Sequence, residues 1–249
     1  MSDNNPFSLK GKRILITGAS SGIGRALAIS CSKMGATIVL TARNRERLEE
    51  TYSLMEGKNH QIIVADLSLQ EDINQLVDQL FELDGIVHNA GVGSHVLCKS
   101  ITNDDLEFVL DLNLKAPILL QSALLSKKKI KKAASIVFIA SKAAEYPSIG
   151  NAIYSASKGA IISYAKCLGL ELAPRQIRVN CISPSMVWTD LIIQDGVSKE
   201  DLQELQLKYP LKRYGTPEDI ANLALYLLSD ASLWMTGSCI DITGGAKEL

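Results

Sequence analysis

The chain has 249 residues, 47% of them hydrophobic, which is ample for the core of one α/β domain. Its 26 basic and 27 acidic residues nearly cancel, so no global field draws it toward nucleic acid or a membrane. The polar start MSDNNPFSLKGKR has no apolar signal core, and the apolar runs read as shorter than the roughly 18–20 residues of a membrane span, so the expected location is the cytoplasm.

Short apolar runs alternate with amphipathic segments from one end to the other. Strands are expected at 13–17, 37–41, 61–65, 85–88, 135–140, 178–182 and 238–242. Most are continuously apolar, as suits strands buried on both faces of a parallel sheet. Helices are expected at 23–34, 45–55, 72–81, 104–125 and 155–173, with another opening at Pro217. The alternation predicts a doubly wound α/β sheet with right-handed crossovers. With no repeat, linker or composition shift, residues 1–249 read as one domain. One stretch breaks the rhythm: 186–214 is long for a connection and holds a helix-like piece at 199–207. Such an insertion is either a lid-like substrate wall or a surface excursion.

The first strand runs into Thr17-Gly18-Ala19-Ser20-Ser21-Gly22-Ile23-Gly24, which opens the first helix. Glycines there permit a tight turn and close backbone approach to phosphate, while the helix N-terminus faces the charge. Ser20 and Ser21 offer hydroxyl contacts. A dinucleotide is therefore expected. The second strand ends in Thr41-Ala42-Arg43-Asn44 with no acid before Glu46, whereas a ribose 2′-hydroxyl calls for a carboxylate. Arg43 instead suits a 2′-phosphate, so the expected cofactor is NADP(H). Asp66 is equally suited to accept from an adenine amino group or to form a turn.

Further along, Asn113 sits in an apolar helix, where an amide requires a partner; it either holds a water or satisfies neighbouring backbone. Ser141 follows a strand at its carboxyl end, where α/β sheets bind ligands. Tyr154 and Lys158 are four apart, on one face of a helix. By itself the pair more often means an ordinary surface lysine beside a packed tyrosine. The other reading is an ammonium that favours the phenolate and makes Tyr154 a usable proton donor and acceptor. The histidines His60, His88 and His95 lack metal-ligand spacing, and the five cysteines form no C-x-x-C pair, so no metal and no disulfide frame are expected.

Taken together, TGASSGIG at 17–24, Asp66, Asn89-Ala90-Gly91, Asn113, Ser141, Tyr154-x-x-x-Lys158 and Asn180-x-x-x-Pro184 resemble the short-chain dehydrogenase/reductase family. The likeness runs from about residue 10 to 245. It implies a single Rossmann fold, a seven-stranded parallel sheet of order 3-2-1-4-5-6-7, and a homotetramer. It also implies a tetrad: Ser141 polarises the carbonyl, Tyr154 donates the proton, Lys158 holds the nicotinamide ribose and tunes Tyr154, and Asn113 anchors a water relay. Gly18, Ser20, Ser21, Gly22, Ile23, Gly24, Asp66, Leu67, Asn89, Ala90, Gly91, Pro184, Val187 and Thr189 would meet the cofactor, and Arg43 matches the NADP-preferring subgroup. Two departures stand out: Ser185 replaces the usual glycine after Pro184, and Thr243 the usual aspartate before Gly244-Gly245.

The substrate pocket is expected from 93–96, 143–146, 149–151, Ser185, Met186, Trp188 and 190–214. This mostly apolar or small lining disfavours small keto acids. Lys127-Lys128-Lys129-Ile130-Lys131-Lys132 reads as a solvated helix end or, less often, a dock for an acidic carrier protein. Lys132 and Arg175 resemble docking positions of 3-oxoacyl-carrier-protein reductases. The expected reaction is reduction of a 3-oxoacyl carrier-protein substrate. Its alternatives are a carbonyl reductase or hydroxysteroid-type dehydrogenase and, more distantly, a non-catalytic dinucleotide-binding regulator.

Overall fold

A computed structural model describes residues 5–193 and 198–246; residues 194–197 of the expected lid segment, with 1–4 and 247–249, lie outside the described residues. Seven parallel strands run β1 (Arg13–Thr17), β2 (Thr37–Ala42), β3 (Gln61–Val64), β4 (Leu83–His88), β5 (Ile130–Ile139), β6 (Arg178–Pro184) and β7 (Cys239–Ile242). Their spatial order is β3-β2-β1-β4-β5-β6-β7. Chain order reverses between β1 and β4, and the cleft beyond those carboxyl ends is where such sheets bind ligands.

Side chains alternate between two apolar layers, which is why the strands read as unbroken apolar runs. Leu15, Val39 and Ile86 face α3 (Gln70–Gln79), α5 (Ala116–Ser126) and α6 (Ala152–Leu172). Ile14, Ile16, Ile38 and Leu40 face α1 (Gly22–Lys33), α2 (Arg45–Ser53) and α9 (Pro217–Leu228). Helix starts carry local signals: Asn44 accepts from Arg47 N at 2.9 Å, and Thr216 and Asp219 form a capping box behind Pro217.

Two expectations are corrected. The helix predicted over 104–125 is α4 (Asn103–Leu110) and α5, joined through Asp111–Lys115 by a wider turn in which Ala116 N–H reaches back to Asp111 O. Such a five-residue step inside a helix re-aims the side chains it carries, here Asn113. The combined stretch Asn103–Ser126 also has the length and hydropathy of a membrane span, contrary to the reading of the apolar runs. In this fold it is a flank of the sheet, its inner face burying Asn113, Leu120, Gln121 and Leu124.

Second, β5 begins at Ile130, five residues earlier than expected, because Leu83 pairs with Ile130 while Gly85 pairs with Ser135. The extra residues bulge around Ala133, whose φ is +60°. The lysine run is therefore a helix end only at its start, where Lys127 caps α5. It straddles a turn and enters the strand, where Lys127 pairs with Asp78, Lys131 with Asp84 at 3.0 Å, and Lys129 donates to Leu80 O.

Candidate active site

The glycine-rich turn is built by close backbone approach. Gly18 has φ +64°, and a Cβ there would lie 2.9 Å from Ala90 Cα. A Cβ on Gly24 would lie 2.1 Å from Gly18 O. The turn is fastened to the end of β4: Asn89 and Ala90 N–H donate to Thr17 Oγ1 at 2.9 and 3.0 Å, and Asn89 Nδ2 donates to Thr17 O at 3.0 Å. Asn89 thus both lines the cleft and holds its floor. Gly18, Ser20, Ser21, Gly22 and Ile23 face a cavity of about 1130 Å³; Gly24 lies beneath the turn and shapes it without facing the cavity.

Beyond β2 and β3, the same cavity meets Arg43, Asp66 and Leu67. Arg43 is 68% exposed along its side chain and only 3.9 Å from Asp66 Oδ2, a loose pairing that leaves its guanidinium available to a further anion. Asp66 Oδ1 accepts from Ser68 N and Oγ at 3.0 and 2.7 Å, so its turn-forming role is realised and Oδ2 still faces the cleft wall. Sequence reasoning passed over Arg47, which also lines the cleft and bonds Asp190 Oδ2 at 2.6 Å from the far bank. Nothing local in the sequence marks that pair.

At the other end, Ser141, Tyr154 and Lys158 converge on this cavity with Pro184, Val187 and Thr189. Tyr154 lies in the first turn of α6 and Lys158 one turn on, its Nζ 5.6 Å from the Tyr154 ring centroid. Lys158 is 6% exposed and donates to Ile139 O at 2.9 Å. Burial pulls its ammonium down to about 8, so proton exchange at this lysine falls near neutrality. Ser141 is fixed by accepting from Ala143 N at 3.2 Å.

Asn113 does not face the main cavity. It is 2% exposed; its Oδ1 accepts from Val92 N at 2.8 Å, and Nδ2 donates to Val92 O at 2.9 Å and Ser157 Oγ at 3.2 Å. The amide thereby clamps the loop following Gly91 against α6, the backbone-satisfying role of the two left open by the sequence. A void of about 10 Å³ lies between Asn113, Lys158 and Thr17, close to the volume that one water needs.

These residues fit a dinucleotide: a glycine turn at a helix N-terminus packed too closely for a Cβ at Gly18 or Gly24, a cation at one end of the cavity, and a hydroxyl–phenol–ammonium group at the other. Comparison with known proteins agrees. A family model described as enoyl-(acyl carrier protein) reductase matches residues 18–247. A 3-oxoacyl-[acyl-carrier-protein] reductase of Rickettsia felis is 34% identical, covering 96% of this chain and 98% of its own. An L-xylulose reductase of Caenorhabditis elegans is 34% identical over 96% of this chain and 97% of its own. A putative NAD(P)-dependent gluconate 5-dehydrogenase of Beutenbergia cavernae, solved with bound NADP, superposes with a TM-score of 0.87 at 30% identity, covering 97% and 98% of the two chains. The chain belongs to the short-chain dehydrogenase/reductase family.

As a short-chain dehydrogenase/reductase it carries the family's two departures in contact with each other. Ser185 Oγ donates to Thr243 O at 3.3 Å, and Ser185 N to Ile242 O at 3.2 Å, so the serine ties the loop after β6 to the end of β7. The substrate end of this oxidoreductase is more polar than expected: Ser94, His95, Tyr146, Ser148, Asn151, Ser185, Lys208 and Tyr209 face the cavity. Val96, Ile149 and Trp188 do not. Ile149 points to solvent, while Trp188 packs behind the wall, 5.5 Å from the Tyr214 ring, with Nε1 donating to Gln206 Oε1. Leu205 and Tyr209, within the expected 190–214 segment, line the pocket, and so do Gly245 and Ala246, which were not expected there. Helix α8 (Lys199–Gln206) contributes Leu205 to the cavity wall, within the stretch 186–214 for which the sequence left a substrate wall or a surface excursion open.

Proposed function

We propose that this enzyme uses NADP(H) to reduce a 3-oxoacyl group presented on an acyl carrier protein. The observation that carries the reading is one continuous cavity joining Arg43 at its nucleotide end to Ser141, Tyr154 and Lys158 at the other. The 2′-phosphate falls to Arg43, the pyrophosphate to the turn from Gly18 to Ile23, and the nicotinamide ribose to Tyr154 and Lys158. Pro184, Val187 and Thr189, which line the same cavity, would hold the nicotinamide. When bound, the reduced dinucleotide supplies the hydride.

The chain's own groups handle the oxygen. Ser141 donates to the substrate carbonyl and polarises it. Tyr154 delivers its phenolic proton to that oxygen. Lys158 lies close enough to favour the resulting phenolate, and its own depressed value suits it to return the proton. A water in the void beside Asn113 completes the relay to solvent.

Relatives named for this reaction support the acyl-carrier substrate. The basic patch supports it less than its sequence suggests. Lys127, Lys129 and Lys131 are engaged as described, and Arg175 donates to Ile130 O at 2.6 Å. Carrier recognition then falls on the exposed Lys128 and Lys132 and on Lys208 at the cavity rim. A second reading, reduction of a small polyhydroxylated ketone, is favoured by the polar lining and by the L-xylulose reductase likeness. The assembly that goes with either reading is a homotetramer; the exposed Phe108 and Leu119 on α4 and α5, with Leu170 and Trp234 near β7, supply apolar surface for it.

The deciding experiment is NADPH oxidation with acetoacetyl-carrier protein, acetoacetyl-CoA, a pentulose and a steroid ketone. The expected result is a kcat/KM for the carrier form about tenfold above the CoA form, a difference of about 1.4 kcal/mol. Joint replacement of Lys128, Lys132 and Lys208 by glutamate should abolish that advantage. Higher kcat/KM for the pentulose or steroid would overturn the reading.

A further inference from the structure

Five cysteines that look scattered in the sequence are not scattered in the fold. Cys181 on β6 and Cys239 on β7 are direct Cα partners in the parallel ladder. Neighbouring strands lie about 4.8 Å apart, and disulfides form at Cα separations of about 4.4–6.8 Å. In-register partners project to the same face, and both residues pack into the apolar layer beneath α6. β7 is the edge of the sheet, so the pair has an approach from outside: Cys181 is buried, while Cys239 is partly exposed.

The sulfurs are also unequal. The neighbouring Cys181 thiol holds the Cys239 thiol below its ordinary value against the opposing effect of burial. The same interaction, with burial, pushes Cys181 up. The three remaining cysteines lack such a partner thiol. Burial on α1 raises Cys31 to about 12, and the Glu171 carboxylate 3.5 Å from Cys167 Sγ raises Cys167. Cys98 is exposed with no thiol beside it among the described residues. A thiolate-favoured, reachable sulfur beside a resolving thiol is the arrangement on which reversible thiol oxidation depends.

We propose that Cys239 and Cys181 form a peroxide-responsive dithiol that closes to a cross-strand disulfide. In the first step the Cys239 thiolate attacks hydrogen peroxide. An S–O bond forms, the O–O bond breaks and hydroxide leaves, oxidising the sulfur by two electrons to a sulfenic acid. Cys181 sulfur then attacks Cys239 sulfur. An S–S bond forms, the S–O bond breaks, and the departing hydroxide takes the Cys181 proton as water. Overall two thiols and one peroxide give one disulfide and two waters. The bridge would fasten β7 to β6, the strand that delivers Pro184 and Ser185 to the cleft.

The test treats the full-length protein with hydrogen peroxide and reads thiols, intact mass and a non-reducing peptide map. The expected result is loss of two of the five titratable thiols and of two hydrogen atoms in mass, with one cross-linked peptide pair containing 181 and 239, all reversed by dithiothreitol. Cys181→Ser should stop at a sulfenic acid on Cys239, trapped by dimedone, and Cys239→Ser should form no cross-link. Oxidation of Cys98 or Cys167 ahead of the pair, or a wild-type map without the 181–239 link, would overturn the proposal.

Discussion

At the nucleotide end of the cleft the wall is backbone. Gly18 and Gly24 let backbone segments approach closely, and Thr17, Asn89 and Ala90 hold the turn through hydrogen bonds that each join a side chain to the main chain. At the substrate end the wall is side chain, brought from four separated stretches: His95 after β4, Tyr146 and Asn151 before α6, Ser185 after β6, and Leu205 to Tyr209 in and beyond α8. The first end is specified by a run of eight residues. The second exists only once β5, β6 and the following wall are assembled. A backbone wall recognises what all dinucleotides share, whereas a side-chain wall is free to differ from one relative to the next. This accounts for 34% identical relatives with names as unlike as 3-oxoacyl-carrier-protein reductase and L-xylulose reductase.

The largest expected effect separates the two ends most sharply. Tyr154→Phe removes the proton donor and should lower kcat by about 10²–10⁴-fold, the range for general acid catalysis. NADPH affinity by fluorescence titration should stay within about fivefold, since one neutral hydrogen bond contributes about 1 kcal/mol or less to binding. Unchanged turnover would remove Tyr154 from the mechanism. Gly24→Ala attacks the other end. Its Cβ would strike Gly18 O at 2.1 Å, and overpacking against fixed backbone costs about 1–3 kcal/mol or more. Urea denaturation should show that loss together with weakened dinucleotide binding; a variant as stable as the wild type would mean the turn yields easily.

Lys158 provides a pH test of the catalytic end in the cofactor-free protein. Its folded value is depressed to about 8 against about 10.4 for an unfolded lysine, so between these the unfolded chain binds the extra proton. The contribution is therefore greatest above about 10.4 and is lost as pH falls through about 8. Lys158→Met should flatten that rise, measured as the wild-type-minus-variant difference in urea midpoint across the window. An unchanged difference would mean that the ammonium is not desolvated. The smallest effect is expected at Arg43. Arg43→Ala should weaken NADPH by about tenfold, one charged contact of about 1.5 kcal/mol, and leave NADH nearly unchanged. Equal loss for both dinucleotides would assign Arg43 to the wall rather than to the 2′-phosphate.

The side chains proposed for catalysis could be picked out because their spacing is local: Tyr154 and Lys158 lie one helical turn apart, and Ser141 stands at a strand end. Asn113 was legible as an amide needing a partner, but its partner was not, since Val92 comes from another element. Arg47 and Ala246 gave no signal of facing the cleft. Each is an ordinary residue that matters only because of what the fold sets opposite it. The lysine run misled in the other direction, because charge looks like free surface until Asp78, Asp84 and the Leu80 carbonyl are placed beside it.

The sequence by itself determined the alternation of strands and helices, the two-sided burial of the sheet, and the glycine turn. These depend on periodicity and backbone freedom within a few residues of one another. Only the tertiary structure decided the five-residue step that aims Asn113, the bulge that draws lysines into β5, the polar substrate wall, and the meeting of Cys181 with Cys239. Each of these is set by strand register and by contacts between residues remote in the chain, for which no local pattern carries the information.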